Sequence, residues 1–190
     1  MSPLTATKQG DTLVLTHRYP TAHKVWAVVR IALGWTFLWA FLDKTFALGF
    51  ATGRAEDGTI DFFGDAAWIS GGSPTEGFLT FATDGPFAGF FQSFAGAVWA
   101  DWGFMLGLLG IGLALILGVG IRIGAVAGAT LLVLMWAASA IWPTDNPFMD
   151  RHLIYAAVLA GLALVNAGDT WGLGKRWAHT NLVARYPILK

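Results

Sequence analysis

The sequence predicts an all-α membrane protein: a transmembrane four-helix bundle with an outer amphipathic helical excursion. Three observations predict it. Charged residues make up only 13% of the 190-residue chain and hydrophobic residues 55%, whereas a soluble domain carries about 25% charged residues. Four apolar stretches approach the ~20 residues that an α-helix needs to cross hydrocarbon. Lys and Arg collect on one side of those stretches, as they do in cytoplasmic loops.

Residues 1–24 read as a cytoplasmic N-terminal segment. They are polar (Lys8, Gln9, Asp11, His17, Arg18, His23, Lys24) and hold no apolar run of the kind a cleavable signal peptide needs. Residues 25–173 form the membrane domain, and residues 174–190 a cytoplasmic C-terminal tail. The expected spans are Val25 to Phe46, Gly103 to Ile121, Ile123 to Trp142 and Leu153 to Ala167, the last completed by its polar ends. Only Arg122 and its neighbours separate the second from the third, which predicts a tight helical hairpin. With the N-terminus inside, the cytoplasmic face holds Lys8, Arg18, Lys24, Arg122, Lys175, Arg176, Arg185 and Lys190, eight of the twelve basic residues. Ten of the twelve acidic residues, all but Asp11 and Asp169, fall on the outer side. Both termini are therefore expected in the cytoplasm, in a multi-pass protein of the plasma membrane.

Residues 49–101 form the outer excursion. Ser73-Pro74-Thr75-Glu76 reads as a capping box with Pro at the first helical position. After Asp84-Gly85-Pro86, the residues Phe87, Phe90, Phe91, Phe94, Ala97 and Val98 recur at helical spacing. That pattern predicts an interfacial helix, packed on the bundle or lying on lipid. Among the ten Trp, Trp26, Trp99, Trp102, Trp142, Trp171 and Trp177 fall near span ends, as an aromatic belt requires. Trp35, Trp39 and Trp136 lie deeper, facing the bundle or a ligand. Gly103 with Gly107, and Gly124 with Gly128, have the spacing at which small residues let membrane helices approach.

Ionisable groups at membrane depth are costly and mark functional or structural centres. Arg30, Gly34, Phe37, Phe41 and Lys44 lie on one stripe of the first span, with Trp35, Trp39 and Asp43 on the adjacent stripe. Arg30 reads either as a snorkelling side chain or as an inward cation pairing with Asn166 or an anion. In the third-to-fourth turn, Asp150 is placed to cap the last span. His152, Tyr155 and Asn166 then share one face, and His152 reads as a proton relay, a hydrogen-bond donor to a quinone or a metal ligand, or else as a hydrogen-bonded rim residue. Asp43, Lys44, Asp101 and His152 are expected to converge near the outer face, Lys44 pairing with Asp43 or Asp101, with Trp39, Phe41 and Tyr155 beneath. The other reading of these groups is a set of separate rim charges. The chain has no Cys, hence no thiolate metal site, and no His pair at haem-ligating depth, so neither haem nor metal is expected. Zero net charge gives no case for nucleic acid.

The run Arg30-Ile31-Ala32-Leu33-Gly34-Trp35-Thr36-Phe37, followed by Asp43-Lys44, resembles the opening of the DoxX family of small membrane proteins. Leu117-Gly118-Val119-Gly120-Ile121-Arg122-Ile123-Gly124-Ala125 is similar to its second hairpin. Asn166-Ala167-Gly168-Asp169-Thr170-Trp171-Gly172-Leu173 is similar to its closing turn. Many members carry an acidic residue inside the second helix, where this chain offers only Asp101 at the edge, and the excursion here is longer. The resemblance implies a four-helix membrane protein acting as a quinone- or redox-linked subunit of a respiratory or oxidative-stress complex. A quinone, membrane lipid and other protein subunits are its implied partners. The candidate site, read from the position and charge of the residues and not from the resemblance, is Arg30, Trp39, Asp43, Lys44, Asp101, His152 and Tyr155. The competing readings are a non-catalytic scaffold subunit and a small transporter or lipid-binding module.

Overall fold

The structure, a computed structural model, describes residues 20–143 and 147–190. The expected cytoplasmic segment before Pro20, and Thr144, Asp145 and Asn146 of the outer turn, lie outside the described residues. What is described is helical without strands, one isolated bridge joining Arg54 to Ile60. The helices are α1 (Pro20–Phe46), α2 (Glu76–Phe81), α3 (Ala88–Gln92), α4 (Val98–Leu117), α5 (Ile121–Ser139), α6 (Arg151–Leu164), α7 (Gly174–Ala178) and α8 (Asn181–Arg185). Three of them, α1, α4 and α5, are long and apolar enough to cross a membrane. The fourth apolar helix, α6, has 14 residues and spans only ~21 Å at 1.5 Å per residue.

Each boundary has a local cause. Helix α4 starts five residues before the expected Gly103 and ends at Gly118. The hairpin turns at Gly118-Val119-Gly120, not at Arg122, because both glycines take positive φ, +72° and +62°, where a Cβ would clash with the backbone. Arg122 instead sits in the first turn of α5 and donates to the Pro187 carbonyl at 3.3 Å. Helix α6 stops at Leu164 and not at Ala167, since Asn166 is left-handed at φ 48° and a 3-10 turn follows. Asp150 caps α6 as expected, its side chain accepting from the backbone N–H of His152 and Leu153.

Helix α1 packs along α4, α4 along α5 and α5 along α6, with a smaller contact from α6 back to α1. Their buried residues form one core, to which α1 gives Leu33 and Phe37, α4 Met105, Leu108, Ile111 and Leu115, α5 Leu132, and α6 Leu159 and Leu162. The α1–α4 crossing is tight. A Cβ at Gly34 would lie 2.9 Å from the Leu115 Cβ, and one at Gly112 would lie 2.8 Å from the Leu38 amide nitrogen. Gly124 and Gly128 are packing glycines as expected, against Ala114 and against Leu159 and Ile111. Gly103 is not, for a Cβ there would meet nothing within 4 Å.

The outward faces of these helices are apolar: Val25, Val28, Ile31 and Trp35 on α1, Leu106, Leu113 and Leu117 on α4, Ile123, Val126 and Val133 on α5 are all exposed. The buried polar groups include Arg30, Asp43, Asp101 and His152. Apolar side chains outside and charges inside is the arrangement that lipid favours and water does not.

Between α1 and α4 the chain runs through two short helices. The expected helix from Phe87 to Val98 is divided: α3 ends at Gln92, Gly96 turns the chain at φ +72°, and Val98 opens α4. Phe91 is buried against Leu79 and Ala138, with Phe94 packed beside it. Phe87, Phe90 and Val98 are exposed.

Candidate functional site

The stripe from Arg30 to Lys44 reaches two separate polar centres, one at Arg30, ten residues into α1, and one at the C-terminal end of α1. At the first, the Arg30 side chain is fully buried. Its Nη1 donates to the carbonyl oxygens of Leu115 and of Ile116, the latter at 2.9 Å. Its Nη2 donates to those of Thr170 at 3.2 Å and Trp171 at 2.9 Å. Helix α4 leaves four carbonyls without intrahelical partners at its C-terminal end, and all four are accounted for. Ala114 accepts from the amides of Gly118 and Val119, Leu115 and Ile116 from Arg30, and Leu117 from the Leu173 amide at 2.8 Å. The guanidinium therefore sits at the negative end of the α4 dipole, with no carboxylate partner among the described residues. Arg30 does not snorkel; it is the inward-facing cation of the other expectation, but it donates to backbone carbonyls and not to Asn166. A five-donor planar fork is what can reach carbonyls on two segments at once.

Glycines make room for that fork. A Cβ on Gly118 would come within 3.1 Å of Arg30 Nη1, and one on Gly172 within 3.1 Å of Nη2. Gly118 and Gly168 approach so closely that a Cβ on Gly168 would lie 2.4 Å from the Gly118 oxygen. Arg30 on α1, the glycine turn after α4 and the turn at 168–172 thus meet at one point.

At the C-terminal end of α1, Asp43 and Lys44 point to different tasks. The Asp43 carboxylate is buried and accepts from the backbone N–H of Phe50 at 3.0 Å and Ala51 at 2.8 Å. It fixes the turn that leaves the helix at Ala47, whose φ is 51°. Asp101, in the first turn of α4, takes three hydrogen bonds on Oδ1: from Ser73 Oγ at 2.8 Å, Thr75 Oγ1 at 2.6 Å and the Thr75 amide at 3.2 Å. Ser73 Oγ also accepts from the Glu76 amide at 3.1 Å, which is the capping half of the expected box. The expected pairing of Lys44 with Asp43 or Asp101 is not made; hydroxyl and backbone donors brought by the loop satisfy both carboxylates. Lys44 instead lies 6.0 Å from the centre of the Phe104 ring, within cation–π range.

Lys44 lines a cavity of about 470 Å³. Its walls are Pro74 and Thr75 just before α2 with Phe78 and Leu79 on it, Phe90 and Phe91 on α3 with Phe94 just after it, Trp99, Ala100, Gly103 and Phe104 from α4, and Leu131, Leu134, Met135 and Ala138 from α5. Lys44 is the one charged residue among them. Asp101 stands behind the wall through Thr75.

The other expected site residues lie elsewhere. Trp39 stacks on Trp35 at 5.6 Å and meets Phe50 edge-on at 5.0 Å, away from the cavity. Trp35 is half exposed, so it faces outward and not into the bundle. Trp136 donates from its indole nitrogen to the Phe148 carbonyl at 2.9 Å. His152 is buried with Nδ1 2.5 Å from Asp150 Oδ2. Tyr155 is 40% exposed, and Asn166 has left the helix, so the three do not form one polar face. Phe41 packs against the core. Of the expected set, Lys44 borders the cavity and Asp101 supports its wall. Of the aromatic residues that line it, Phe90, Phe91 and Phe94 were visible in the sequence as an amphipathic pattern and Trp99 as a belt residue, and neither signal distinguishes a cavity wall from a lipid-facing stripe.

Asp101→Leu should leave the Ser73 and Thr75 hydroxyls without their acceptor at a local cost of about 1–3 kcal/mol. Hydrogen exchange should then rise across residues 73–81, with α4 beyond its first turn unaffected. Unchanged protection at residues 73–81 would show that apolar contacts alone hold this helix.

Comparison with family models, with curated proteins and with solved structures finds no match to this chain.

Proposed function

We propose that the chain is a DoxX-type multi-pass membrane protein that holds a quinone head group beside Lys44, as a redox-linked subunit of a respiratory or oxidative-stress membrane complex. In this reading α1, α4, α5 and α6 each cross the bilayer as a four-helix bundle, the residues between α1 and α4 form an outer cap, and both termini are cytoplasmic. Lys and Arg asymmetry supports the orientation. Convergence of the three resembling segments on Arg30 supports the family, because it gives a physical reason for an Arg and two Gly-rich turns to occur together.

The observation that carries the functional reading is the cavity of about 470 Å³ with Lys44 as its one charged residue. Ligand sites of this kind are mostly apolar with a few placed polar groups that orient the ligand. An ammonium offers three donors and no acceptor, which suits the carbonyl oxygen of a quinone and the more negative oxygen of its reduced form. The apolar walls suit a ring and the start of its side chain. A partner subunit supplies the electron donor or acceptor.

A photoreactive quinone tests the reading in purified protein held in lipid nanodiscs. Label should fall on residues 75–104 and 131–138, and Lys44→Ala should weaken binding about tenfold, the value of one hydrogen bond to a charged group. Label confined to other segments, or undiminished by Lys44→Ala, contradicts it and leaves the scaffold reading.

A further inference from the structure

The cavity opens onto the apolar outer surface of α4 and α5, and the residues there set the route in. Part of the excursion closes it, although Phe90, which also lines it, is 66% exposed. Pro74, Thr75 and Leu79 are buried there, Thr75 is tied to Asp101, and the Asp84 amide donates to the Ala138 carbonyl at 2.9 Å, which holds the far end of the same strap to α5. Toward the outward face of α4 and α5 it is open. Gly103 lines it, and a Cβ there would meet nothing within 4 Å. Leu134 on α5 and Trp99 on α4 line it too, yet are 48% and 66% exposed. The lining therefore runs without a break onto the apolar outer surface of two helices long enough to span a bilayer.

We propose that the cavity is loaded sideways from the bilayer, through the crevice between α4 and α5 at Gly103, by a single-chain amphiphile whose oxygen-bearing head accepts a hydrogen bond from Lys44 while its chain trails back into lipid. The inference rests on the ligand-binding reading above and adds the route and the ligand class. A chain needs no polar partner, and the crevice offers none. A head needs one donor, and the cavity places it at Lys44, which among the described residues has no ion pair that a ligand would have to displace. Two lipid-soluble groups share this chemistry, a quinone carbonyl and a fatty-acid carboxylate. A ligand entering past Thr75 would have to part the strap held to Asp101 and Ala138; one arriving from lipid passes Gly103, which puts no side chain in its way.

The test uses the full chain in nanodiscs and reads quenching of Trp99, taken as the difference between the parent protein and Trp99→Phe. Three probes are titrated: a decyl-substituted benzoquinone, the same benzoquinone without its chain, and oleate brominated at its double bond. The decisive variant is Gly103→Leu, whose side chain enters open space and so leaves the fold intact. Leu134→Trp narrows the same crevice from α5. Both should weaken the chain-bearing probes about tenfold, the scale of a steric misfit in an apolar site. The chainless quinone should stay within about twofold, since a head alone clears the narrowed crevice. Equal weakening of all three probes, or none of any, overturns sideways loading. Quenching by brominated oleate with none by either quinone, still sensitive to Gly103→Leu, supports the route with a carboxylate head and overturns the quinone reading alone. No quenching by any probe in the folded parent protein overturns both.

Discussion

Arg30→Met should prevent the folded protein from accumulating in membranes. The side chain is buried, and the change removes donors from four backbone carbonyls on two segments. Two of those carbonyls belong to the last turn of α4, where no helical N–H can replace the lost donor. Leaving buried acceptors unpaired costs about 1–3 kcal/mol each, so a total above ~3 kcal/mol is expected even if one of them finds a new partner. Arg30→Lys should recover part of the loss, because an ammonium can serve one pair of carbonyls and cannot span both as the guanidinium fork does. Thermal unfolding in detergent reads the order: parent above Lys, Lys above Met. A Met variant as stable as the parent would mean that α4 and the 170–171 turn are held by packing, with Arg30 a passenger.

The second large effect belongs to the α1–α4 crossing. Gly112→Val should cost about 3 kcal/mol or more, since its first carbon would stand 2.8 Å from the Leu38 amide nitrogen and 3.0 Å from its Cβ. Backbone cannot yield as a side-chain tip can, so the two helices must separate. Gly110, two residues earlier on the same helix, is the control. A Cβ there would meet nothing within 4 Å, and Gly110→Ala should raise stability by up to ~1 kcal/mol through helix propensity. Opposite signs at Gly110 and Gly112 in one thermal series test the crossing directly; equal small effects would contradict it.

What could be read from the sequence follows from which signals are local. Apolar length marked α1, α4 and α5 within a few residues, and the single-residue cap Asp150 was placed correctly, because capping depends on its own next three residues. The hairpin turn was misplaced onto Arg122, since a charge draws attention while the left-handed backbone at Gly118 and Gly120 is silent in a hydropathy profile. The Phe87–Val98 pattern continued through Gly96, where one positive φ broke it.

The polar residues were identified with less success in their partners than in their location. Asp43, Asp101 and Arg30 are buried polar groups, as charges at membrane depth should be. The sequence suggested that opposite charges would pair. The structure pairs these groups instead with backbone or hydroxyl donors and acceptors from segments 7 to 141 residues distant, leaving only Arg30 Nε without a partner, and no sequence pattern announces such pairs. Lys44 is the exception that defines the site, since its carboxylate neighbours are already occupied and it faces the apolar cavity.

The central claim is that these helices cross a bilayer with the excursion and its cavity on the outer side. The chain has no native Cys, so single cysteines report their own surroundings. Cysteines at Glu56, Arg122 and Arg185 should be probed in intact cells and in inverted vesicles with a membrane-impermeant maleimide. The account predicts that position 56 reacts only from outside and positions 122 and 185 only from the cytoplasmic side. Reaction of position 56 from the cytoplasmic side, or of positions 122 and 185 on opposite sides, would contradict it.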